Sequence, residues 1–134
     1  MRGLIALVAL AALLFAGTAG YGKGGKPKAA DAGASTIVVN ETNVQLGDTV
    51  TFTTEIERLT GAEYPMVDLE CTQDGVIVFS QLDHPDAGFL LGGGWSEWLQ
   101  TGGPASCVAY LDAYDGSGNR WTVRVLASTS FEAG

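Results

Sequence analysis

From Thr49 to Ile56 apolar and polar residues alternate, Val50, Phe52 and Ile56 being interleaved with Thr49, Thr51, Thr53 and Glu55. A period of two puts the first set on one side of an extended strand and the second on the other, so one side is expected in a core and the other in water. Met66–Thr72 repeats the pattern, with Val67, Leu69 and Cys71 opposed to Asp68 and Glu70. Between Ala105 and Tyr114, Cys107, Ala109 and Leu111 face inward and Val108, Tyr110, Asp112 and Tyr114 outward. In the last run Trp121, Val123 and Val125 alternate with Thr122, Arg124 and Leu126. Turn residues separate these runs: Gly47–Asp48, the hairpin pair Asp74–Gly75, and Asp115 to Asn119. Shorter segments complete the set: Thr36–Val39 continuing to Val44 and Leu46, Val76–Phe79, Phe89–Leu91, and Trp95–Leu99 beyond Gly92, Gly93 and Gly94. About seven strands are predicted, in one all-β domain over residues 36–134 with Phe131 anchoring its end.

The first 35 residues have a different character. Arg2 precedes an apolar run from Leu4 to Phe15 and then the small residues Ala16 to Gly20, the order of a secretory signal, with cleavage expected after Ala19. The run is shorter than the roughly 20 residues a membrane-crossing helix needs, and a tether by an uncleaved signal is the alternative. Residues 20–35, rich in Gly, Lys and Ala, show no apolar periodicity and read as a flexible linker.

The GDTVTF of the second strand and the final hairpin YLDAYDGSGNRWTVRV, closed by LASTSFEA, resemble bacterial and phage immunoglobulin-like domains. The resemblance covers roughly Thr36 to Glu132 and implies a single immunoglobulin-like β-sandwich, a fold that hosts many unrelated functions. Two features depart from the antibody type: the second strand has no cysteine, and no tyrosine lies two positions before Cys107. The chain's two cysteines, Cys71 and Cys107, are both in phase with the inward side of their strands, and an exported chain favours their pairing. In the implied topology the third and sixth strands are neighbours, so the bridge is expected within one sheet. Two buried thiols are the rival reading; a metal site lacks further His or Cys partners.

Removing Arg2 with the signal leaves six basic residues against fifteen acidic ones, a net −9, and the basic residues form no stripe. That excludes the clustered cations that bind nucleic acid. His84, between Asp83 and Asp86, is the only histidine and has no evident nucleophile or oxyanion-binding loop, so no catalytic residue is assigned. Asp112, Asp115 and Asn119 do not follow the spacing of a calcium loop and read as turn chemistry, and no metal or other cofactor is expected. Trp95 and Trp98 in WSEW resemble the tryptophan repeats of thrombospondin modules and the cytokine-receptor box over four residues only; Leu99 replaces the closing serine, and one tryptophan is expected in the core. Asn40-Glu41-Thr42 is a glycosylation acceptor in a host with that machinery.

One face invites a partner. On the outward side of the third, sixth and seventh strands the alternation places Met66, Val108, Tyr110, Tyr114, Arg124 and Leu126. Met66, Tyr110, Tyr114 and Arg124 are the candidate partner-binding residues, because Tyr and Arg concentrate binding energy and contiguous apolar area marks contact surfaces; an N-terminal segment or an extra strand lying over the face is the alternative. The expected function is a secreted, non-enzymatic module that binds an extracellular partner or attaches to a surface, the partner being an unknown protein or surface component. A small secreted enzyme or inhibitor using the loop Asp83–Gly94 is the second class.

Overall fold

The computed structural model describes residues 35–56, 58–94, 96–118 and 121–134. The expected signal peptide, nearly all of the expected linker, Trp95, Asn119 and Arg120 lie outside the described residues. The described strands are β1 (Thr36–Val39), β2 (Thr49–Val50), β3 (Phe52–Glu55), β4 (Glu63–Gln73), β5 (Val76–Asp83), β6 (Phe89–Leu90), β7 (Ala105–Asp115) and β8 (Thr122–Ala133), with one short helix, α1 (Trp98–Thr101). All pairings are antiparallel: a four-stranded sheet in the order β5-β4-β7-β8 and two two-stranded sheets, β1-β3 and β2-β6.

The alternation explains the packing. Val67, Leu69 and Cys71 of β4 and Cys107, Ala109, Leu111 and Ala113 of β7 are buried on one face of the large sheet. Against them come Ile37, Val50, Phe52 and Phe89 from the small sheets, in one core cluster. Phe52 meets the ring of Phe89 edge-on at 5.4 Å and that of Phe131 at 6.5 Å, so the expected C-terminal anchor joins β8 to the small sheets. Cys71 lies opposite Cys107 in the β4–β7 ladder, and the two form a disulfide within the sheet, as the strand phase predicts.

Several segments differ from the pattern. The alternating run Thr49–Ile56 is broken at Thr51, whose N–H and hydroxyl both donate to the Glu41 carboxylate while its carbonyl accepts from Asn40. The two halves consequently pair with different partners, β2 with β6 and β3 with β1. The first strand stops at Val39, and Val44 enters the core from a loop. The expected strand Trp95–Leu99 is not found over its described residues, 96–99: α1 begins at Trp98, which is fully buried against Phe79 and donates its indole N–H to the Gly103 carbonyl at 2.8 Å. Strand β5 runs on to Asp83, past the apolar residues that marked it. Its hairpin turn at Asp74 and Gly75 has positive φ at both positions, the geometry a twisted two-residue turn requires.

The disulfide spans 36 residues, and by the chain-entropy relation such a closure contributes up to about 4 kcal/mol, a large share of the stability of a domain this size. We predict that Cys71→Ala/Cys107→Ala lowers the melting temperature by more than about 10 °C, because ~1 kcal/mol moves a domain of this length by about 4–8 °C. A shift within about 2 °C of the parent would show that the bridge is dispensable.

Candidate functional site

The outward face is set by a bulge. Leu111 pairs with Ala127 and Asp112 with Val125, so β8 carries one extra residue, Leu126, at this point. Beyond the bulge the phase of β8 is reversed relative to a regular ladder. Tyr114 stands opposite Val123, and Ala113 opposite Arg124. Two residues expected on the outward side are thereby relocated. Leu126 is turned into the core, 7 % exposed. Arg124 shares the side of the buried Ala113, and its guanidinium grips the Glu63 carboxylate with two hydrogen bonds of 3.1 and 2.9 Å. Val123 and Val125, in the set expected to alternate with these, occupy the outward side instead.

The same phase change assembles an aromatic cluster at one end of the face. Tyr64 on β4 and Tyr114 on β7 are direct cross-strand partners, and their rings stack at 6.2 Å with 28° between planes. Trp121, just before β8, stands across both, 6.1 Å from Tyr64 and 6.4 Å from Tyr114, at 87° and 66°. Two stacked phenol rings therefore form a floor and the indole a wall. The wall is 63 % exposed and Tyr64 39 %, with Val123 exposed beside them. Gly116 makes the arrangement possible, because a β-carbon there would lie 2.5 Å from two indole carbons of Trp121. Edge-to-face and offset aromatic pairs contribute about 0.5–1.5 kcal/mol each, so the three ring contacts favour the clustered arrangement.

Met66, Tyr110 and Tyr114 do lie on the outward face and are half-buried, in successive rows of the β4–β7 ladder. Of the expected partner-binding set, Tyr114 alone joins the cluster. Tyr64 and Trp121 were not in that set. Tyr64 falls just before the run in which the alternation is clear, and Trp121 takes its side from the bulge. Asp112, on the same face, is fully buried.

The second candidate region has the chemistry of a turn. The Asp83 carboxylate accepts the backbone N–H of His84 at 2.8 Å, and the His84 carbonyl accepts from Ala87. Elsewhere a shallow cavity of about 570 Å³ is rimmed by Thr72, Asp74, Thr101, Ser106 and Glu132. Its polar groups serve the fold: Gln73 ties the Gly102 and Pro104 carbonyls to β4, and Ser106 donates to Glu132. The Asn40 side chain is held between Thr51 and Thr53. Among the described residues no three His, Cys, Asp or Glu side chains are grouped to hold a metal ion, and no helix is long and apolar enough to cross a membrane.

With this geometry in hand, the chain is defined as a small all-β domain of antiparallel sheets closed by one disulfide. No family model, no curated protein and no solved structure matches it.

The Glu63–Arg124 pair pins the ends of β4 and β8 beneath the cluster. The Arg124 hydrogen bonds, then the backbone N–H of Thr60, hold the Glu63 carboxyl at about 2, below its ordinary 4.5. A carboxyl whose pKa is lower in the folded than in the unfolded chain stabilises above the unfolded value and loses that contribution as pH falls through the folded one. Thermal melts between pH 4.5 and 2 should therefore fall with a slope that Glu63→Gln partly lacks; equal slopes would contradict the pairing. Gly116→Ala should displace the indole, with a change in tryptophan fluorescence relative to the parent at unchanged far-UV circular dichroism. An unaltered emission spectrum would show that Trp121 does not sit against Gly116.

Proposed function

We propose that this chain is a secreted, non-enzymatic module with an immunoglobulin-like β-sandwich, and that it recognises an extracellular partner through the aromatic end of its outward face. The observation that carries this reading is the cluster of Tyr64, Tyr114 and Trp121, in which Trp121 and Tyr64 are exposed. An exposed Trp and two Tyr in contact are costly to leave in water and are the residue types that dominate binding hot spots. The disulfide supports an oxidising compartment, in keeping with the signal-like residues 1–19. The rings stand on the paired β4–β7 ladder and contact one another, and a cluster presented preformed lowers the ordering cost of binding.

The test is capture from the medium of the native culture with the parent, Trp121→Ala, Tyr64→Ala and the exposed control Leu82→Ala, each shown to melt cooperatively. Loss of a hot-spot residue costs about 2 kcal/mol or more, so Trp121→Ala and Tyr64→Ala should recover less than a tenth of the partner while Leu82→Ala recovers it all. Equal recovery by all four proteins would remove the aromatic end as the recognition site.

A further inference from the structure

We infer that residues 21–34, ahead of the domain, dock across the middle of the outward face with their lysines against Asp68 and Glu70. The chain's charge is segregated: all three lysines, Lys23, Lys26 and Lys28, fall within six residues, whereas the chain from Ser35 onward carries three arginines and fourteen acidic residues. Asp68 and Glu70 stand two apart on β4, so they share the outward face, in rows with Tyr110 and Val108 of β7. Leu82 and Ser80 of β5 continue those rows on one side, and Ser128 and Ser130 of β8 on the other. Met66, Val108, Tyr110 and Val125 make this face apolar between its carboxylates, and none of them belongs to the core cluster or to the residues packed against it. A surface of this composition fits an extended, cationic, glycine-containing segment whose backbone can approach closely.

The connection is short enough. Ser35 leads into β1, which lies against β8. From β8 to β4 is two strand spacings, about 10 Å. Lys28 is seven residues before Ser35 and an extended chain covers roughly 3.3 Å per residue, so it reaches about 23 Å; Lys23 reaches about 40 Å. Tethering turns a weak charge attraction into an intramolecular one at high effective concentration. The aromatic row of Tyr64 and Tyr114 lies beyond the acidic rows, so the docking stands independently of the recognition proposed above.

A zero-length carbodiimide crosslinker tests this directly on the full chain, because it joins an ammonium to a touching carboxylate and every lysine of the protein reports the segment. Peptide mapping of an equal mixture of ¹⁵N-labelled and unlabelled chains should find most lysine crosslinks at Asp68 and Glu70, within single-isotope chains. Their yield should drop severalfold in 1 M salt, where the Debye length shrinks to about 3 Å. Crosslinks spread comparably over Asp74, Asp86, Glu97 and Asp115, or none at all, would overturn the docking. Mixed-isotope crosslinks would overturn it too, by assigning the face to a second copy, and a yield indifferent to salt would remove its electrostatic basis.

Discussion

The pairing of β4 with β7 is the constraint on which the rest of the structure depends. The two strands remain in register from Glu63 opposite Asp115 to Thr72 opposite Ser106, and the disulfide fastens the ladder near one end. Every other part of the large sheet is placed from this pair, β5 on one flank and β8 on the other. Its inward side supplies Val67, Leu69, Leu111 and Ala109, the floor on which Val50, Phe52 and Phe89 settle. Its outward side supplies Tyr64 and Tyr114, the floor of the aromatic cluster. Core and candidate site are thus two sides of one ladder.

Two irregularities then adapt the flanking strands. Between Cys71 and Thr72 the register with β5 shifts and Val78 becomes the extra residue, buried although its neighbours Val76 and Ile77 are exposed. The Ser96 hydroxyl donates to the Val78 carbonyl at 2.8 Å. A bulge and a capped carbonyl both blunt an edge that would otherwise invite pairing with another chain. On the other flank the Leu126 bulge serves the site. It delivers Leu126 to the core, Arg124 to Glu63 and Val123 to the row of Tyr114 in one step. A bulge re-aims every side chain beyond it, and here that places Trp121 over the two tyrosines.

Strand alternation made the inward residues of β4 and β7 legible in the sequence, because Val67, Leu69, Cys71, Cys107, Ala109 and Leu111 obey a simple period of two. The cysteine pairing followed from the same phase. What stayed hidden has a physical reason in each case. A bulge leaves the periodicity of an isolated strand unchanged and appears only when two strands are counted against each other, so simple alternation puts Arg124 and Leu126 on the outward side, where the structure has Val123 and Val125, and does not single out Trp121. Polar Ser80, Gln81 and Asp83 extend β5 because backbone pairing with β4, rather than side-chain burial, holds them there. The helix at Trp98 is four residues long, with Thr101 and Gly102 hydrogen-bonded back to its first turn, too short to show any helical period.

The register beyond the bulge is the point from which the site is built, and interstrand Hα and ring contacts by nuclear magnetic resonance measure it most directly. The structure predicts Tyr114 opposite Val123 and Ala113 opposite Arg124, together with contacts from the Trp121 ring to Tyr64, Tyr114 and the α-protons of Gly116. Tyr114 opposite Arg124, with no contact between Trp121 and either tyrosine, would mean a regular ladder without the bulge and would contradict the aromatic site.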